Sequence, residues 1–174
     1  LDGGRGQELI KRSANAPTPL WSATVMRDEP DLVTTVHADY IQADARVITL
    51  NNYSATPVRL AKPGLSPAFS ELHQAAITAA QRAIAQTKPT HPVAVAGCLP
   101  PLVSSYHAED VPSEAACLAD YRTLVAAQKD GVNLFLCETL TTVREVQTAA
   151  TAGKESGHPV WVGMTVDDQD GTRL

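Results

Sequence analysis

Aromatic side chains are scarce in this sequence: two Phe, two Trp and four Tyr make up 5% of its 174 residues. With hydrophobic residues at 44% and Ala very common, the core must be built mainly from small aliphatic side chains packed between helices and a sheet. Dense basic runs are also missing, and the formal net charge is −5, which argues against nucleic acid as a partner. No apolar stretch approaches the roughly 20 residues needed to cross a bilayer, and the opening residues do not read as a signal peptide. The expectation is a soluble, cytoplasmic chain. Metal knuckles are lacking too. Cys98, Cys117 and Cys137 lie far apart, whereas knuckle ligands sit about two to four residues apart. An odd count also fits no simple disulfide framework, so reduced, structural thiols are expected.

What is present is an alternation. After Leu1, the tail of a first strand, apolar runs occupy 46–53, 92–98, 132–137 and 159–166. They carry no polar alternation, as expected of parallel strands covered on both faces. Helical spacing occupies 30–43, 66–86, 112–131 and 141–157, with Pro30 and Pro67 in first turns and Lys129 and Gly131 as a stop signal. Segments 15–29 and 54–65 read as long irregular loops. The order of elements predicts a parallel α/β domain spanning 1–174. Polar residues gather just after each strand, in Asp2-Gly3-Gly4, Asn51-Asn52-Tyr53, Cys98 onward, Glu138-Thr139 and Thr165 to Asp167. The carboxyl ends of parallel strands are where such folds place their sites.

One stretch concentrates the question of function. In Asn133-Leu-Phe-Leu-Cys-Glu-Thr-Leu140 a carboxylate follows a buried run. Cys137 and Glu138 alternate along a strand and point to opposite faces, which argues against a nucleophile beside its base. Cys137 then reads as a small buried hydrophobe. Glu138 either caps the following helix or faces inward and needs a cationic partner. Asp2-Gly3-Gly4 is a surface turn or a place where backbone approaches a ligand closely. Trp21 reads as a packing anchor. The five histidines never fall at metal-ligand spacing and read as helix-surface or structural groups.

The pieces LDGGRGQEL at 1–9, LWSA at 20–23, VHADYIQADARVITLNNYSAT at 36–56, AGCLPP at 96–101, DGVNLFLCET at 130–139 and VWVGMTVDDQDGTRL at 160–174 run in order along the whole chain. Together they resemble the homocysteine S-methyltransferase family, which includes betaine–homocysteine methyltransferase and the homocysteine domain of cobalamin-dependent methionine synthase. The resemblance implies a (β/α)8 TIM barrel, represented here by about strands 1 to 5 and helices 1 to 4. It implies methyl transfer from S-methylmethionine, betaine or a similar donor to the thiolate of homocysteine, giving methionine. It also implies a zinc ion that binds this thiol, which is mostly protonated at neutral pH unless a metal deprotonates it.

By the same resemblance, Asp2, Gly3 and Glu138 hold the amino-acid end of homocysteine, and Tyr53 borders the donor. Asn51 and Thr165 are further candidates for the substrate, with Asp167 beside Thr165. The implied partners are these small molecules, with no nucleic acid or membrane, and self-association into a homo-oligomer is left open.

Departures accompany the match. The family's zinc cysteines lie in Gly-x-Asn-Cys and Gly-Gly-Cys-Cys stretches, neither of which occurs in this sequence. Its expected ligands would lie beyond Leu174, both ends of the chain read as cut, and the 174 residues alone are expected to be inactive and to bind no zinc tightly. Asp44 stands where the family has Gly, and Cys98 and Pro100 stand where it has Ser and Gly. Two other readings remain. A lyase barrel is disfavoured because no Lys closes a strand to form a Schiff base. A non-catalytic half-barrel acting in assembly would expose apolar strand edges. On either reading with open edges, the isolated 174 residues should self-associate, and a monodisperse monomer in sedimentation would contradict this.

Overall fold

Four apolar runs pair side by side and in sequence order. The computed structural model describes residues 1–16, 18, 20–166 and 168–171, apart from the side chains of Trp21 and Ser22. Its sheet is parallel throughout, β1 (Val47–Thr49), β2 (Ala94–Leu99), β3 (Leu134–Leu140) and β4 (Val160–Met164), in the order β1-β2-β3-β4. Helices return the chain between strands: α3 (Pro30–Gln42) before β1, α5 (Phe69–Thr87) before β2, α6 (Glu114–Gln128) before β3 and α7 (Val143–Glu155) before β4. This is the parallel α/β architecture expected from the alternation, in the partial TIM-barrel form that the resemblance implies.

The two faces of the sheet differ in depth. Phe135, Cys137 and Leu140 of β3 join Val95 and Leu99 of β2 in the large core beneath the helices. The other face carries a thin layer of Ala96, Leu134 and Leu136 with Val47 and Ala94. Period-two alternation continues that inner row from Leu134 and Leu136 to Glu138, and from Ala94 and Ala96 to Cys98. A polar pair therefore sits at the carboxyl rim of an otherwise apolar surface. Gly97, between those inner residues, is required by close packing, because a Cβ there would lie 2.6 Å from the Phe135 ring.

Three expectations need correction. Leu1 is no strand tail: residues 1–4 are outside the sheet, and Asp2 ties them to β1, its amide donating to the Val47 carbonyl at 2.9 Å. β1 is also shorter than the run 46–53, since Asn51 to Ser54 turn away at its end. Two segments read as loops contain helices, α2 (Trp21–Asp28) and α4 (Pro57–Ala61), and α1 (Arg5–Arg12) follows the opening turn. Buried Leu20, at the N-cap, and Ala23 and Met26 of α2 recur at threefold spacing, a helical signal hidden behind the prolines that precede it. Thr56 caps α4 by accepting from the Arg59 amide, with Pro57 in the first turn.

Asp44, standing in place of the family's glycine, is left-handed at φ 69°, and its carboxylate receives His91 at 2.7 Å. Large apolar side chains on and after β4 are exposed, namely Trp161, Val162, Met164 and Val166. Among the described residues, no helix is long and apolar enough to cross a membrane.

Candidate functional site at the carboxyl rim

The site begins with a carboxylate that has no access to water. The Asp2 side chain is 1% exposed. It accepts from the Thr49 amide at 3.0 Å, the Thr49 hydroxyl at 3.1 Å and Arg5 Nη1 at 2.8 Å. Those bonds lock the opening turn to the end of β1 and hold Arg5, the first residue of α1, over the rim. Burial pulls the Arg5 guanidinium down, but Asp2 and then Glu138 outweigh it and keep it above its ordinary value. Beneath the pair lies His37 of α3, fully buried, with neither ring nitrogen hydrogen-bonded.

Glu138 is aimed by a distortion in β3. The ladder to β4 shifts register between Cys137 and Leu140, and Thr139 within it has φ 63°. A β-branched residue in the left-handed region is a true outlier, and strain of this kind is retained where surrounding structure over-determines it. The bulge presents the Glu138 carboxylate, about a quarter exposed, on the inner face. Its Oε1 accepts from the Cys98 thiol at 2.9 Å and lies 3.7 Å from Arg5 Nη2. Burial, then the Glu138 charge, pushes the Cys98 thiol well above its usual range, so Cys98 is the donor. Gln128 of α6 fixes Cys98 in turn, accepting from its amide at 2.9 Å and donating to its carbonyl at 3.2 Å.

Replacing Thr139 by Gly tests the strain. Relief of about 1–3 kcal/mol is offset by the flexibility of Gly in the unfolded chain and by the lost hydroxyl contact to Tyr53. Thr139→Gly is therefore expected to raise unfolding stability by about 1 kcal/mol while loosening Glu138. Denaturant titration checks this, and a clear loss of stability would show that Thr139 is not strained.

Arg5 and Glu138 line a cavity of 420 Å³, with Gly3 and Gly4 beside Arg5, Asn51 and Tyr53 on another side, and Thr139 beside Glu138. Tyr53 Oη is 2.7 Å from Ser105 Oγ, and the Arg59 guanidinium stands 5.2 Å from the Tyr53 ring centroid. Burial pushes the Tyr53 phenol upward. Arg59 and Ser105 also border a second cavity of 570 Å³, lined by Leu20, Leu65, Val103 and Lys62. A Cβ at Gly3 would stand 3.3 Å from the Tyr40 ring, so a larger residue here would press on that side chain.

The structure thus brings Gly3, Asn51, Tyr53 and Glu138 to one cavity. Asp2 supports it from behind through Arg5. Thr165 sits elsewhere, bonded through its amide to Leu140 O at 2.9 Å and bordering another cavity with Thr141 and Tyr106. Asp167 and the Trp21 side chain fall outside the described residues. Sequence reasoning missed Arg5, Arg59 and Ser105, and gave Cys98 no part in the site.

The implied zinc does not fit the donors found here. Among the described residues no three His, Cys, Asp or Glu groups gather as a metal site. Cys98, Cys117 and Cys137 are buried free thiols, and burial pushes Cys137 up to about 12. A metal site needs several donors converging on one point, and among the described residues these thiols do not converge with enough other donors to form one.

Comparison with known proteins gives concordant results. Residues 1–174 match the family model described as homocysteine S-methyltransferase. Homocysteine S-methyltransferase of Escherichia coli K12 is 33% identical over the whole chain, which covers 62% of that relative. A selenocysteine Se-methyltransferase of Brassica oleracea is 43% identical over 56 residues, 32% of this chain and 16% of that one. The metallated crystal form of the E. coli homocysteine methyltransferase MmuM superposes with a TM-score of 0.81 at 31% identity, covering 97% of this chain and 63% of that one. The chain therefore spans less than two thirds of the length of these E. coli relatives.

Proposed function

The chain belongs to the homocysteine S-methyltransferase family, and from this we propose that it supplies the substrate-binding half of a barrel that methylates homocysteine to methionine. The observation that carries this reading is Glu138, a carboxylate held by a strained bulge in a cavity of small-molecule size. Glu138 receives the substrate's ammonium. Gly3 and Gly4 let it approach the backbone, and Asn51 offers a polar side chain in the same wall. Tyr53, its hydroxyl fixed by Ser105 and its face covered by Arg59, borders the donor. S-methylmethionine, betaine and similar methyl donors each carry a carboxylate, for which Arg59 and Lys62 are suitable neighbours.

A metal that activates the thiol would need thiolates other than Cys98, Cys117 and Cys137, and no step is assigned to these three. The exposed apolar row on β4 favours a second arrangement, in which this sheet continues into further chain or another copy. The test is to assay the full-length protein for methionine formation with S-methylmethionine, betaine and methylfolate in turn. Turnover with one of them supports the reading. Absence of turnover with all three, in a protein that contains its metal, would sink it.

A further inference from the structure

We propose that Arg5 is a specificity-determining residue that receives the carboxylate of the thiol substrate, beside the ammonium held by Glu138. This deepens the reading given above and rests on it. A guanidinium has five N–H donors and no acceptor. For Arg5 the hydrogen bond to Asp2 engages one of them, and the approach to Glu138, at 3.7 Å, is too long to engage another. Arg5 Nε is buried without any partner. The side chain is only 11% exposed, so water reaches little of it, and unengaged buried donors are costly unless an acceptor arrives. The open space beside this guanidinium is the 420 Å³ cavity.

Charge makes the same point. Asp2 already accepts three hydrogen bonds from Thr49 and Arg5 and is not among the cavity's walls, so it serves to anchor the guanidinium. That leaves a cation and an anion, Arg5 and Glu138, side by side at the rim. Opposite charges at this spacing complement a zwitterion: carboxylate on the fork of Arg5, ammonium on Glu138. A rival arrangement gives Arg5 the place of the substrate's ammonium, making it an internal plug. The two differ in the sign of what happens when Arg5 is removed.

The experiment measures equilibrium binding of three thiols to the full-length protein: homocysteine, its decarboxylated analogue aminopropanethiol and its deaminated analogue mercaptobutanoate. Arg5→Met is expected to weaken homocysteine and mercaptobutanoate on the order of 30-fold, the worth of a charge-assisted pair. Aminopropanethiol should change by less than about threefold. Arg5→Lys keeps a cation on Asp2 and so guards the fold. It should show the same preference with a smaller loss, because an ammonium lacks the planar fork. Tighter homocysteine binding by Arg5→Met would overturn the proposal in favour of the plug, and equal losses for all three thiols would reduce Arg5 to a structural part. Failure of the wild-type protein to bind homocysteine at all would instead overturn the proposed function, and this inference with it.

Discussion

Acidifying the protein from about pH 8 to about pH 5 is expected to remove about 4 kcal/mol of folding stability, because two histidines are buried neutral. Burial lowers His37 to about 4, with the Arg5 charge adding to the effect and Asp2 opposing it. Burial also lowers His73 to about 4, against a backbone hydrogen bond to Ala55. His73 donates from Nε2 to the Ala55 carbonyl at 3.0 Å and accepts at Nδ1 from Asn52 at 2.8 Å, so its tautomer is fixed in the uncharged form.

An unfolded imidazole takes up a proton near pH 6.5. Between there and about pH 4, the unfolded chain binds more protons than the folded one. Stability is therefore fully present above that upper value and falls as the pH drops through the window. Each histidine accounts for about 2 kcal/mol at pH 5, and about 4 kcal/mol together is a large share of the ordinary 5–15 kcal/mol of a domain. Glu145 acts in the opposite sense, since burial raises its carboxyl and thereby favours the folded state at low pH.

Urea titrations at a series of pH values give the slope directly. His37→Leu should remove about half of it. It should also raise stability near neutral pH by about 1–2 kcal/mol, because it replaces an imidazole with two unsatisfied nitrogens. A stability that is level from pH 8 to pH 5 would contradict the burial of both rings.

Those two histidines show where the sequence could be read and where it could not. His73 shares a helical face with Ala76, Ile77 and Ala80, and His37 with Val33 and Ile41, so of the two readings, helix surface or structural, the spacing favours the buried one. The strands were legible because Val, Ile and Leu crowd them without polar alternation. Glu138 was legible as a charge at the end of such a run. Arg5 was not, since it looked like the tail of a glycine turn, and its meaning comes from Glu138, which lies far along the chain. The same holds for Cys98 with Glu138 and Tyr53 with Ser105: each pair joins the ends of separate strands, and only the assembled sheet makes them neighbours. The strained Thr139 is also invisible in sequence, as nothing in its residue type announces a positive φ.

Removing the charge at Glu138 should have the largest effect on binding. Glu138→Gln preserves shape and still accepts from the Cys98 thiol, so the fold should change little: Glu138 is partly exposed, and Arg5 retains its bond to Asp2. What disappears is the anion proposed to face the substrate's ammonium. Truncating one partner of a desolvated charge pair costs about 2–5 kcal/mol, so homocysteine affinity should fall on the order of 100-fold or more. Aminopropanethiol should fall by a similar factor, whereas mercaptobutanoate, which has no ammonium, should be nearly unaffected or bind slightly better. This pattern mirrors the one expected for Arg5→Met, where the carboxylate-bearing thiols suffer. Each variant thus identifies one end of the same zwitterion. Combining them should leave homocysteine no tighter than its two truncated analogues. If Glu138→Gln weakened mercaptobutanoate as strongly as homocysteine, Glu138 would be shaping the cavity rather than reading the ammonium, and the orientation assigned to the substrate would be wrong.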